Sequence, residues 1–378
     1  MKRIALIGST GSIGKQVLQV VSLHPEKFKI VSLLANTNYS LLQAQMSAYK
    51  PVIAGLCDAE SAQKVTEIPN ETTFYYGENS LYHAINCDCD IVVVASVGFA
   101  GLKAVLASIK AKKQIALANK ETLVAGGELI MPLIKDNGID LVPIDSEHSA
   151  IWQALDFDLN KKFDRLILTA SGGALRDVDI DKLKDVTPKS ALLHPNWNMG
   201  AKITIDCATM VNKAFEVAEA KWLFNAPLDN IDVVIHRESI IHSMVQFLDG
   251  SVIAQMAMPD MKIPIALSLC YPERMDVSVP KIDFTNLTLT FSKPDLNRYP
   301  AFKLVVDAIK KGKILPCVAS GANEEAVKLF LQGKIKYTQI YDMIDNALQN
   351  VTCQDVSLES LVYSDNLARK ITLEKFAK

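Results

Sequence analysis

The sequence has no run of basic residues, no CxxC pair and no apolar stretch approaching the ~18–20 residues that a membrane helix needs. Each absence removes a class. Nucleic-acid binders rest on clustered Lys and Arg. Here 40 basic residues are scattered among 42 acidic ones, and the formal net charge is −2. No nucleic-acid partner and no membrane are therefore expected. The cysteines, Cys57, Cys87, Cys89, Cys207, Cys270, Cys317 and Cys353, are odd in number and dispersed. That argues against a disulfide framework or a zinc ribbon, and for a reducing, cytoplasmic setting. Cys87-Asp88-Cys89 is the one close pair, with no second pair or suitable His nearby. A strand-like run begins at once in "MKRIALIGSTG", so no signal or transit peptide is expected.

What is present fits a multidomain globular chain. At roughly 100–200 residues per domain, 378 residues suggest two or three. Apolar runs recur at 3–8, 29–35, 52–57, 90–96, 114–119 and 140–145, rich in Val, Ile and Leu and without polar alternation. Such runs suit strands covered on both faces. Helix-like stretches separate them, as at 98–113, and this rhythm predicts a doubly wound parallel sheet over residues 1–145. Over 146–280 strands and helices mix: "RLILTAS", "IDVVIHRES" and "GSVIAQMAM" read as strands, and 209–224 as a helix. An α+β domain is expected there. Residues 281–299 lie in a Pro/Asn/Asp-rich crossing segment, and 300–378 reads as a helical bundle.

Gly8, Gly11 and Gly14 stand between the first strand and the first helix in "IALIGSTGSIG". Glycines there let the turn close and let backbone N–H groups reach a pyrophosphate at the helix N-terminus. The position points to a Rossmann-like dinucleotide site, although the spacing is GxxGxxG. The second strand ends "LLANTNYS" without an acidic residue. Asn36, Thr37 and Asn38 offer hydrogen bonds without repelling a 2′-phosphate, so NADPH fits better than NADH. "ALANKET" ends the fifth run with Asn119, Lys120 and Glu121. Its Lys can face an anionic ligand or simply begin a solvated helix.

Asp145 and Glu147 in "PIDSEH" lie two residues apart at a strand end. Two close carboxylates repel unless a cation joins them, and a hard divalent ion such as Mg²⁺ or Mn²⁺ suits oxygen donors. The alternative is a solvated loop in which Ser146 or Asp145 caps the next helix. Glu216, spaced helically from Asn212 and Lys213 in "DCATMVNKAFE", is the candidate third carboxylate, although an exposed Lys–Glu pair also explains it. Ser171-Gly172-Gly173 can form a backbone nest for a phosphate. "HPNWNMG" at 194–200, with His194, Trp197 and Gly200, has neither helical nor strand period and reads either as a mobile lid or as a packed loop with Trp197 in the core.

Taken in order, "GSTGSIG", "ANKE", "DSEHSAIWQ", "SGG", "HPNWNMG", "MVNKAFE", "HSMVQFLDGSV" and "NRYPAF" cover nearly the whole chain. The set strongly resembles the 1-deoxy-D-xylulose 5-phosphate reductoisomerase family. The resemblance implies an NADPH- and Mg²⁺- or Mn²⁺-dependent homodimer. Such an enzyme rearranges 1-deoxy-D-xylulose 5-phosphate and reduces it to 2-C-methyl-D-erythritol 4-phosphate, in non-mevalonate isoprenoid synthesis. It implies Asp145, Glu147 and Glu216 as metal ligands. Lys120, Ser146, Glu147, Glu216 and His194 are implied at the substrate, and Ser171, Asn212 and Lys213 at its phosphate. Thr10, Gly11, Ser12, Ile13, Asn36, Thr37, Asn38, Asn119, Glu121 and Gly200 are implied at NADPH. Cys207 stands where the family has a phosphate-binding Ser, and a thiol is a weaker donor. The "ANTN" loop lacks the Gly and the Lys or Ser often found there. Two rival readings are an aspartate-semialdehyde dehydrogenase, which needs a nucleophilic Cys, and a non-catalytic dinucleotide sensor.

Overall fold

The computed structural model describes residues 1–197 and 199–376; Asn198 of the "HPNWNMG" segment and the last two residues of the 300–378 region lie outside the described residues. The chain forms two compact units, one of Met1–Thr122, Ile130–Asp145 and Met261–Val279, the other of Leu123–Leu129, Ser146–Asp260 and Pro280–Lys378.

The first unit is built on seven parallel strands: β1 (Lys2–Ile7), β2 (Phe28–Ala35), β3 (Ile53–Leu56), β4 (Thr73–Tyr76), β5 (Ile91–Val94), β6 (Gln114–Leu117) and β7 (Leu141–Pro143). Their order is β4-β3-β2-β1-β5-β6-β7, so the strand order reverses between β1 and β5. In open α/β sheets ligands gather at that switch point, beyond the carboxyl ends of the strands. β5 is buried along its whole length, which explains its unbroken "IVVV". Six runs were expected and seven strands are found. β4, "TFYY", is a half-exposed edge strand of four residues and lacks the apolar run that marks the others.

Met261–Val279 was expected with the middle domain, yet it packs in the first unit. Its helix Lys262–Cys270 buries Ile265, Ala266 and Leu269 in the same core as Ile4, Val17 and Ile144. Each fully buried Ile or Leu contributes roughly 1.5–3 kcal/mol. Lys2 Nζ adds a hydrogen bond to Leu269 O at 2.9 Å.

The second unit holds a four-stranded sheet of β8 (Arg165–Ala170), β9 (Ile231–Ile235), β10 (Ile241–Gln246) and β11 (Val252–Met256), in the order β11-β10-β8-β9. β8 and β9 are parallel, and β10 runs antiparallel to β8 and β11. The helix expected over 209–224 forms as Val211–Leu223; a further helix, Ala201–Thr209, precedes it, and Met210 with φ +58° separates the two. Helices Pro300–Lys311, Leu315–Leu331, Gln339–Asn350 and Leu358–Phe376 make the C-terminal bundle.

Candidate active site

In the first unit the expected cofactor residues follow the carboxyl ends of strands: Thr10–Ile13 after β1, Asn36–Asn38 after β2, and Asn119–Glu121 after β6. The glycine loop is tightly shaped. Gly8 has φ +89°, and a Cβ on Gly14 would lie 2.2 Å from Gly8 O. Among the described residues no side chain caps the helix Ser12–Leu23, which opens behind Gly11. Its first-turn N–H groups have no intrahelical partner and carry the positive end of the helix dipole. Gln45, which sequence reasoning passed over, holds the loop from behind: its Nε2 donates to Ser9 O at 2.9 Å.

Asn119 is nearly fully buried and committed. Its amide donates to Ser96 O (2.6 Å) and Gly98 O (2.9 Å), and its Oδ1 accepts from Thr122 N and Oγ1. The side chain is thus a helix cap that joins the loop after β5 to the helix Lys120–Asn137. Asn38 likewise caps the helix Tyr39–Tyr49 through Leu41 N. Lys120 is buried and forms an ion pair with Asp145, just beyond β7.

Helix Ser146–Ala154 begins immediately after Asp145, so two peptide links separate that carboxylate from Glu147. In the second unit Glu147 and Glu216 bring carboxylate oxygens within 4.8 Å of one another. Lys213 bridges them, donating to Glu147 Oε1 at 2.7 Å and to Glu216. The exposed Lys–Glu pair considered for Lys213 and Glu216 is not what forms: their side chains are 5% and 1% exposed. Burial disfavours the ammonium, but the two carboxylates outweigh it and hold the Lys213 pKa above the ordinary lysine value. Two carboxylates facing one ammonium leave this trio net negative. Ser146 Oγ donates to Glu147 Oε2 at 2.6 Å, and Asn212 Nδ2 to Glu216 Oε1 at 2.5 Å. Asn212 and Lys213, expected at a phosphate, thus both serve Glu216 here.

The Ser171-Gly172-Gly173 turn follows β8. Gly172 and Gly173 have φ +80° and +73°, and a Cβ on Gly173 would lie 2.5 Å from Cys207 O, so the turn presses onto helix Ala201–Thr209. Tyr299 OH donates to Gly172 O (2.9 Å) and Arg176 Nη1 to Ser171 O (2.7 Å), fixing the turn from behind. His194 Nδ1 accepts from the N–H groups of Asn196 (3.2 Å) and Trp197 (3.0 Å). The proton therefore sits on Nε2, which donates to Ser171 Oγ at 3.0 Å. Ser171 Oγ also accepts from Gly173 N at 3.1 Å, which leaves its own O–H to donate. Burial, with Arg176 nearby, lowers the His194 pKa to about 4. Trp197 meets the His242 ring edge-on at a centroid distance of 5.9 Å. Gly200 is exposed and begins helix Ala201–Thr209.

Three family models match in succession: "1-deoxy-D-xylulose 5-phosphate reductoisomerase" over residues 4–127, its C-terminal domain over 141–224, and the DXP reductoisomerase C-terminal domain over 256–371. The chain belongs to the 1-deoxy-D-xylulose 5-phosphate reductoisomerase family. Proteins of that name from Geobacter metallireducens and Bacillus thuringiensis are 44% and 46% identical to it, over 99% and 98% of this chain and 99% and 97% of theirs. A solved reductoisomerase from Zymomonas mobilis in complex with NADPH superposes with a TM-score of 0.92 at 36% identity, covering 99% of both chains. Another, solved with NADPH, fosmidomycin and magnesium, gives 0.95 at 37% identity, covering 100% of this chain and 98% of that one.

The sequence did not mark several contacts around these candidate residues: Gln45 behind Ser9, Arg176 and Tyr299 behind the Ser171 turn, and the His148–Glu219 pair. "NRYP" carried the only sequence signal for Tyr299. Gln45 and Arg176 carried none, because each bonds backbone that no side-chain pattern advertises.

Proposed function

We propose that this chain catalyses the NADPH- and divalent-metal-dependent isomerisation and reduction of 1-deoxy-D-xylulose 5-phosphate to 2-C-methyl-D-erythritol 4-phosphate, a step of non-mevalonate isoprenoid biosynthesis. The observation that carries this reading is the buried Glu147–Lys213–Glu216 cluster, in a chain of the reductoisomerase family. Carboxylate oxygens are hard donors that suit Mg²⁺ or Mn²⁺, and the Lys213 ammonium already lies where a cation satisfies both. We assign Asp145, Glu147 and Glu216 as the metal ligands. When bound, the ion supplies Lewis-acid polarisation of the substrate carbonyl and NADPH supplies the hydride.

The remaining work belongs to the chain's own groups. The first unit takes NADPH on the glycine loop: Thr10, Ser12 and Ile13 present backbone donors, Gly11, whose N–H closes the turn on Gly8 O, lets the cofactor approach closely, Asn36, Thr37 and Asn38 face the 2′-phosphate end, and Asn119, Glu121 and Gly200 complete the lining. The second unit takes the sugar phosphate. Ser171 donates its hydroxyl to the phosphate, with Cys207, Asn212 and Lys213. Lys120, Ser146, Glu147, Glu216 and His194 contact the carbon skeleton. Anchoring the phosphate away from the reacting carbons uses remote binding to orient them. Segment 194–200, with Trp197 against His242, excludes water as a lid. Residues 281–299 connect to the helical region 300–378, whose Asn323 and Tyr337 hydrogen-bond to Asp206 and Ala208 of the helix that carries Cys207.

The enzyme is assigned as a homodimer. β11 is an edge strand whose Val252 and Ile253 are exposed, as is Leu248 just before it, a surface that a second copy covers. A molar mass by light scattering equal to one chain overturns this. Cytoplasmic placement agrees with Cys57, Cys87, Cys89, Cys270, Cys317 and Cys353, none of which forms a disulfide. Among the described residues no helix is long and apolar enough to cross a membrane. The thiol-dependent dehydrogenase reading is disfavoured by the family match, which spans nearly the whole chain.

The deciding experiment follows NADPH oxidation with 1-deoxy-D-xylulose 5-phosphate, with Mg²⁺ or Mn²⁺ and again with a chelator. Turnover that requires substrate and metal is expected. No turnover from folded, NADPH-binding protein overturns the reading.

A further inference from the structure

His148 and Glu219 have no part in the roles above, yet both are almost wholly buried, at 0% and 1% exposure. His148 follows Glu147 directly on helix Ser146–Ala154, and Glu219 lies one turn beyond Glu216 on helix Val211–Leu223. The imidazole joins the two helices. Its Nδ1 lies 3.1 Å from Glu219 Oε2, and its Nε2–H donates to the main-chain oxygen of Glu216 at 2.9 Å. The hydrogen bond to Glu216 O and the ion-pair contact with Glu219 together hold the ring. Phe224 stacks parallel to it at 6.3 Å.

A buried carboxylate is costly unless it is paired, and an apolar pair of similar volume often fills such a space as stably, so packing alone does not account for this pair. Asn212, Glu216 and Glu219 recur at i, i+4 and i+7, so the helix face that presents Glu216 also carries this anchor.

We propose that Glu219 is a positioning residue: acting through the His148 ring, it fixes the separation of the Glu147 and Glu216 carboxylates so that together they receive one divalent cation. This rests on the metal reading above. Neither His148 nor Glu219 is assigned as a ligand. The tether sets the backbone at residue 148 against the backbone at residue 216, and each carries its carboxylate with it.

The test is Mn²⁺ binding to the full-length protein, read from the free-ion paramagnetic resonance signal and not from turnover. NADPH affinity and melting temperature are recorded alongside. Glu216→Gln serves as the reference that removes a ligand. Glu219→Ala is expected to weaken Mn²⁺ binding about tenfold or more, as loss of an outer partner of a metal ligand does, with NADPH affinity unchanged. Glu219→Gln is expected to restore most of it, since the amide can donate to Nδ1 while Nε2–H still holds Glu216 O. If Glu219→Ala fails to fold, the double variant His148→Phe/Glu219→Leu carries the test: it keeps the core filled, removes the tether, and is expected to lose the same affinity at a near-native melting temperature. Wild-type Mn²⁺ affinity in the folded double variant, with Glu216→Gln impaired, overturns the positioning role alone. Unchanged affinity in Glu216→Gln overturns the metal reading, and the proposal with it.

Discussion

The glycine loop of the first unit and the carboxylate cluster of the second make contrasting kinds of site. The loop is shaped by backbone: Gly8 and Gly14 admit no Cβ, and the helix behind Gly11 offers N–H groups with no charged side chain. The cluster is made of charge largely withdrawn from water: Lys213 pairs with both Glu147 and Glu216, which leaves one negative charge over. A backbone site tolerates changes of charge and fails on added bulk. A charge site tolerates small changes of shape and fails when one charge is lost, because the rest are left uncompensated.

The sharpest way to break this contrast is to remove one charge. Glu216→Gln is nearly isosteric and is expected to lower kcat about a thousandfold, several kcal/mol of transition-state stabilisation, while NADPH binding stays intact. Steady-state rates with a parallel NADPH titration check it, and near-normal activity removes Glu216 from the metal site. The reciprocal test adds one methyl group. Gly14→Ala, whose Cβ would meet Gly8 O at 2.2 Å, is expected to weaken NADPH by about a hundredfold, near 3 kcal/mol, and to leave Mn²⁺ binding alone. Equal loss of both ligands would show that the two sites are not separable in this way.

A smaller effect concerns pH. The folded His194 pKa is lowered to about 4 from an ordinary 6.5. Below 6.5 the unfolded chain takes up this proton and the folded chain does not. The contribution is therefore fully present above about 6.5 and is lost as the pH falls towards 4. Protonation at Nδ1 also ends its acceptance from Asn196 and Trp197. His194→Gln is expected to flatten that part of the melting-temperature profile, and an unchanged slope argues against a neutral His194. Because the ring is partly exposed, solvent screening keeps the effect modest. The smallest change expected is in Cys207→Ser, which supplies a better donor beside the Ser171 turn. One hydrogen bond of about 0.5–1.5 kcal/mol lowers the substrate KM by about two- to tenfold; an unchanged KM shows that position 207 does not reach the phosphate.

Much of this was legible in the chain itself. The apolar runs that became β1, β2, β5 and β6 announced a parallel sheet because strands buried on both faces need continuous apolar sequence. "GSTGSIG" announced the turn because only glycine meets its close backbone approach. The family motifs named the carboxylates. The bland reading of Lys213 and Glu216 as a surface pair was reasonable locally and failed because burial is a property of the whole unit. β4 was missed because an edge strand need not be apolar.

By itself, then, the sequence determined whatever depends on neighbours along the chain: strand and helix periods, the glycine turn, and the two-residue spacing of Asp145 and Glu147. Tertiary structure alone decided the return of Met261–Val279 to the first unit, the grip of Gln45 on Ser9, the backing of the Ser171 turn by Tyr299, and the meeting of His148 with Glu219. These join residues 36 to more than 200 positions apart. Chain periodicity does not encode such pairings. They follow from which buried polar atom finds a partner once the cores have closed.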